Sequence, residues 1–294
     1  MHTGADDISQ FGTVKYWNYN DRTNYFAGKC GEVYGSAGEF YPPNQTKNKP
    51  ISFFSPDMCR SISLDFSEEV SIDGVTGYKY SGGKKTVDNG TAYPENKCFT
   101  TGKSVPSGVL NVTSCRNAPV FMSFPHFYGA DPYYLNQVEG MQPKKEDHEF
   151  YITLEPKTGI PIEVAARFQV NALIRPVENI GLYRLAPYMF FPVLWFEQKV
   201  RISSAMTAEI KTVLKIPTIG FICFVLMIAI GVVMIMWRQI TRWLCGRTYE
   251  TEQDSCSLKS VNVEKLAYQG SPDGSPLIKL KNVEMKFRTD SMKS

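Results

Sequence analysis

The sequence predicts a mainly antiparallel β domain followed by one membrane-spanning helix. Alternating apolar and polar residues in Phe150–Glu155 and Ile162–Ile174 predict paired strands. Glycine and proline punctuate 28–50 and 74–108, as expected of loops between short strands. The run from Ile216 to Trp237 has no charge, and at ~1.5 Å per residue it makes about 33 Å of helix, enough to cross a bilayer core.

The strand prediction is most specific around FYITLE (150–155). Pro156-Lys157-Thr158-Gly159 supplies a turn, and the second run returns beside the first. In that run Ile162, Val164, Ala166, Phe168, Val170, Ala172 and Ile174 share one face, while Glu163, Arg167, Gln169 and Asn171 share the other. A hairpin with one buried and one wet face is expected. Ser203–Leu214 is expected to form a short helix leading into the membrane.

Charge does not orient the span. Arg238, Arg242 and Arg247 follow it, but Lys199, Arg201, Lys211 and Lys215 precede it, and long domains translocate largely regardless of such counts. Cysteines and sequons do orient it. Cys30, Cys59, Cys98 and Cys115 precede the span, an even set suited to two disulfides. So do the glycosylation acceptors Asn44 (NQT), Asn89 (NGT) and Asn111 (NVT). Cys245 and Cys256 follow it, with no sequon. The expected layout is an oxidised exterior or luminal domain over 1–212, a transmembrane helix over 213–237 and a cytosolic, unstructured tail over 238–294. The first thirty residues hold no apolar run of the ~7–15 residues a signal peptide needs, so an upstream membrane segment in a longer parent protein is expected.

Basic and acidic residues balance up to Lys215, so the net charge of +3 resides beyond it, and nucleic acid is not an expected partner. Catalysis finds little support. Of three histidines, His2 is terminal, His148 lies in the charged stretch KKEDHEF and is expected in a solvated turn, and His126 lies among aromatics as a structural residue. There is no GxSxG or HExxH motif, and SGGKKT (81–86) lacks the spacing of a phosphate loop. Neither an enzyme, a cofactor nor a metal site is expected. The aromatic stretches FPHFYGADPYY (124–134) and YMFFPVLWF (188–196) suit core packing, or collectively an apolar cavity.

Four longer stretches carry a resemblance. FFSPDMCRSI (53–62), APVFMSFPHFYGADP (118–132), YITLEPKTGIPIEVAARFQVN (151–171) and FFPVLWFEQ (190–198) resemble the class B scavenger receptors, in order from about Gly4 to the span. The likeness is greatest to insect members of the Croquemort kind. It implies the C-terminal portion of a protein with two spans and one large glycosylated loop, lacking here the first span. It implies disulfides Cys30–Cys98 and Cys59–Cys115, with Thr100 standing where a partner of a third pair would be. The implied fold is an irregular antiparallel β-barrel with helical additions around a lipid tunnel.

The resemblance also implies a function. The chain would act as a plasma-membrane receptor for lipids, lipoprotein particles or apoptotic and microbial surfaces, leading to uptake or lipid transfer. Alternatives are an endo-lysosomal trafficking receptor for a luminal protein and a sensory-neuron pheromone co-receptor. Asp273, Leu277 and Ile278 fit the acidic dileucine pattern read by clathrin adaptors, which implies cycling to endosomes or lysosomes. Cys245, just inside the membrane, is a palmitoylation candidate.

Overall fold

The structure, a computed structural model, describes residues 1–100 and 104–249, with side chains as far as Trp243. Asp273, Leu277 and Ile278 lie outside the described residues, as does the side chain of Cys245.

Eight strands form one mostly antiparallel sheet: β1 (Ile51–Ser55), β2 (Arg60–Ile72), β3 (Val75–Ser81), β4 (Leu110–Asn111), β5 (Val120–Ser123), β6 (Tyr151–Leu154), β7 (Pro161–Ile174) and β8 (Met189–Arg201). The order is β1-β2-β3-β6-β7-β5-β4, and β8 pairs with β7. β2 and β3 join through Asp73 (φ 49°) and Gly74 (φ 76°), the two left-handed residues of a two-residue hairpin turn matched to strand twist. β6 and β7 form the expected 151–174 hairpin, with Tyr151 opposite Ala165 and Thr153 opposite Glu163. The buried Glu155 closes its turn, accepting from the Lys157 and Thr158 amides at 3.1 and 2.7 Å. Gly159 is obligatory there: its φ is +74°, and a Cβ would lie 2.2 Å from the Tyr41 carbonyl oxygen.

The main core lies under β1–β3 and β6, built on Tyr41, Ile62, Leu64, Tyr80 and Leu154. A smaller core gathers Phe121, Phe127, Tyr134 and Phe190. Among the described residues no pairing joins β8 to β1, and the pairing ends at β1, β4 and β8.

β7 corrects one expectation. The alternation is present, but the polar face is the buried one: Arg167, Gln169 and Asn171 are 5%, 1% and 0% exposed. Val164, Ala166, Phe168 and Val170 on the apolar face are only half buried. β5 beside it in the sheet, the turn after β5 and segment 142–149 satisfy the polar face. Gln169 Oε1 accepts from the His126 amide at 2.8 Å, Asn171 Nδ2 donates to Ser123 Oγ at 3.0 Å, and Arg167 donates to the Glu146 carbonyl at 2.7 Å. A buried polar group costs little once bonded, so a covered polar face is tolerated.

The lead helix and the span are one continuous helix, Ser204–Tyr249, with Pro217 inside it. Near its start Ile210 packs with Ile72, Val75 and Ile162. Among the described residues it is the one helix long and apolar enough to cross a membrane.

Candidate functional site

The half-buried apolar face of β7 fronts a cavity of about 620 Å³. Alternation brings Val164, Ala166, Phe168 and Val170 to one side of the strand, and neighbouring strands add Phe53, Met122, Ile152 and Phe196. The rings form a continuous wall. Phe150 stacks on Phe53 at 5.9 Å and meets Phe168 at 5.2 Å, and Phe168 meets Phe196 at 6.2 Å. The lining includes one acid and one base, Asp57 and Arg116, and these are bonded to each other through Arg116 Nη2 and Asp57 Oδ1. The walls therefore carry no uncompensated charge. A volume within the ~300–1,000 Å³ of ligand sites, with an apolar lining and few polar groups, suits a lipid or other apolar ligand. Phe196 comes from the aromatic stretch 188–196, which suits either core packing or an apolar cavity, and the two-residue alternation through Phe168 is the signal that marks the β7 side of the wall.

A second cavity of about 480 Å³ is mixed in charge, with Lys29, Arg60 and Lys85 facing Glu32, Asp65 and Glu95. Arg60 is buried there, its guanidinium 3.5 Å from the Phe99 ring centre, and burial pushes its pKa down to about 10. Among the described residues no group of three or more His, Cys, Asp or Glu side chains could hold a metal ion.

The structure bonds Cys30 to Cys98 and Cys59 to Cys115, with Cα separations of 5.8 and 6.3 Å. It treats the sequons differently. Asn44 is exposed. Asn89 is 6% exposed, its Nδ2 donating to the Val105 carbonyl at 3.0 Å and its Oδ1 accepting from Thr91 Oγ1 at 2.6 Å. Asn111 is half buried and its Oδ1 accepts from the Thr113 amide at 3.0 Å. In a secretory host, Asn44→Gln is therefore expected to remove one glycan by intact mass, and Asn89→Gln none.

His148 is not in a solvated turn. It is 5% exposed and stacks on His126 with ring centres 4.4 Å apart and planes 12° apart. Trp195 of β8 meets both rings edge-on, at 6.3 Å for His126 and 5.8 Å for His148. Burial, then the neighbouring His126, holds the His148 pKa below the ordinary histidine value.

An antiparallel sheet around an apolar cavity, two disulfides and one helix fit to cross a bilayer define a membrane-associated binding protein. The comparisons with known proteins make this specific: the CD36 family model matches residues 1–241, and the chain belongs to that family. Protein peste of Drosophila melanogaster is 44% identical over 248 residues, 83% of this chain and 45% of that protein. Scavenger receptor class B member 1 of Cricetulus griseus is 34% identical over 211 residues, covering 71% of this chain and 40% of the relative. Lysosome membrane protein 2 of Homo sapiens is 33% identical over 237 residues, covering 79% and 49%. The chain thus spans about half the length of the relatives it matches. The family is one of receptors and not of enzymes.

Proposed function

We propose that this chain is part of a class B scavenger receptor that binds lipid in the cavity before β7, taking it from lipids, lipoprotein particles or apoptotic and microbial surfaces for uptake or transfer. The observation that carries this is the charge-compensated apolar cavity of about 620 Å³ in a chain of the CD36 family. Each buried methylene of an acyl chain contributes about 0.8 kcal/mol, so the cavity offsets the cost of drawing a lipid from a bilayer or particle. Because Asp57 and Arg116 neutralise each other, neutral acyl or sterol lipids are favoured over free anions.

In this reading 1–212 is exterior or luminal, 213–237 spans the bilayer and 238–294 is cytosolic, at the plasma membrane with cycling through endosomes or lysosomes. The tail pattern at Asp273, Leu277 and Ile278 would serve clathrin adaptors, and Cys245 would accept palmitate. β8 pairs only with β7 among the described residues and exposes Phe191, Val193 and Leu194, as an edge awaiting a neighbour does. A neighbouring strand there would complete a barrel and extend the cavity into a tunnel.

The test is extraction. The chain purified in mild detergent from a secretory host is expected to yield bound neutral lipid by mass spectrometry. Ala166→Trp combined with Val170→Trp, which fills the cavity, is expected to lower the yield about tenfold, roughly 1.4 kcal/mol. Equal yields from both proteins, or none from either, would overturn the reading. Likeness to the human Lysosome membrane protein 2 supports a second reading, escort of a luminal protein to lysosomes; co-purification of one such protein in place of lipid would mark it.

A further inference from the structure

We propose that the stacked His126–His148 pair is an acid-sensitive latch on the cavity: its protonation frees segment 140–149 from the sheet, and with it the Phe150 wall, so that bound lipid is released. The inference rests on the cavity reading for its consequence, though not for the latch itself.

The chemistry is set by which nitrogen is engaged. His126 Nδ1 accepts from the Gln142 amide at 3.1 Å, and His148 Nδ1 accepts from the Lys144 amide at 2.9 Å. Each neutral ring therefore carries its proton on Nε2, and an added proton must go to Nδ1. There it replaces the acceptor with a donor that faces another donor. The His126–Gln142 bond ties the segment to the 124–128 turn and the His148–Lys144 bond closes the segment's own turn, so a proton on either Nδ1 breaks one of the two. The His126 ring at 4.4 Å further disfavours the charged form of His148, so a proton on His148 favours parting of the rings.

Neighbouring charge does not rescue the protonated form. On the segment itself stand Lys144, Lys145, Glu146, Asp147 and Glu149, whose signs nearly cancel. Glu149 is taken by Lys79 of β3 at 2.8 Å, and Lys79 also binds Glu68 of β2 at 3.1 Å. From β7 comes Arg167, a cation that disfavours imidazolium, and Glu197 of β8 is already paired with it at 2.8 Å. From the 124–128 turn comes His126. Asp147 alone of the groups acting on His148 favours its charged form.

The sign follows. A buried histidine held below its unfolded value stabilises the closed form fully above about pH 6.5, and that stability is lost as pH falls through the lower folded value.

The latch touches the cavity through steps of one or two residues. His148 is two residues before Phe150, and Trp195 is one residue before Phe196, both cavity-wall rings. His126 is two residues after Phe124, which stacks on Phe150 at 6.5 Å and on Phe168 at 6.1 Å. Freeing 140–149 thus removes support from behind the wall.

The test uses the full chain in nanodiscs of neutral phosphatidylcholine, with hydrogen exchange and retained fluorescent cholesteryl ester followed from pH 7.4 to 4.5. Protection of 140–149, corrected for intrinsic exchange and referred to the 156–160 turn, is expected to fall at least about tenfold with a midpoint below the ordinary histidine value and above the carboxylate range. Release of the ester is expected over the same interval. Unchanged relative protection overturns the latch, as does a midpoint near about pH 4, which would assign the event to carboxylates. Opening with full retention of the ester overturns the coupling. If no ester binds at either pH, the cavity reading falls while exchange still decides the latch. His126→Asn with His148→Asn, whose Oδ1 keeps an acceptor without titrating, is expected to hold protection in acid. Should that variant misfold, the wild-type exchange profile decides.

Discussion

Arg167→Ala is expected to destabilise the domain by about 3 kcal/mol, lowering the melting temperature by roughly 6–12 °C. Arg167 lies on β7 with 5% of its surface exposed. Its Nε donates to Glu197 Oε2 at 2.8 Å, and its Nη1 donates to the carbonyls of Glu146 and Glu149 at 2.7 and 3.1 Å. Truncation leaves these acceptors unpaired beneath the 142–149 segment, which costs more than the lost bonds themselves contributed. Glu197 is one-third exposed and recovers some hydration, which holds the figure at the low end of the range for breaking a buried pair. The same variant should loosen 142–149 at neutral pH. Urea unfolding with hydrogen exchange on that segment checks both parts, and a loss below about 1 kcal/mol would show the arginine to be replaceable by water.

Comparable in size is the loss of either disulfide. Cys30–Cys98 and Cys59–Cys115 close sequence separations of 68 and 56 residues, and on the chain-entropy model each contributes about 4 kcal/mol. Cys59→Ala with Cys115→Ala is expected to raise trypsin sensitivity sharply and to retain most of the protein in the endoplasmic reticulum. The two bridges interleave, so removing one leaves the other spanning much of the same chain, and the double loss should be the more severe. Thiol labelling of the unreduced protein reads the compartment as well. Labelling of all four cysteines in the folded wild-type chain would contradict an exterior placement of 1–212.

Much of the fold was legible in short stretches. The 151–174 hairpin followed from alternation and a Pro/Gly turn, because a strand's two faces are written directly into every second residue. The Asp73-Gly74 turn carries the strongest short hairpin signal, an Asp-Gly pair between alternating strands. The lead helix was legible as leading into the membrane, and the structure carries it through Pro217 as one helix, Ser204–Tyr249.

The cavity was legible only as an alternative to core packing, and the histidine pair was not legible at all. Val164, Ala166, Phe168 and Val170 have the pattern of a core face whether they meet side chains or an open space. His148 sits among charges that suggest solvent, although Lys144 to Asp147 are exposed while His148 itself is turned beneath them.

By itself the sequence determined the period of each element, the apolar length that can cross a bilayer and the family to which the chain belongs. Those depend on neighbours along the chain. Tertiary structure alone decided which face of β7 is covered, because the residues that satisfy it, from 121–126 and 142–149, come from outside the strand and meet it only on folding. The same long-range meeting puts His126 against His148 and leaves the phenylalanine face open to a ligand.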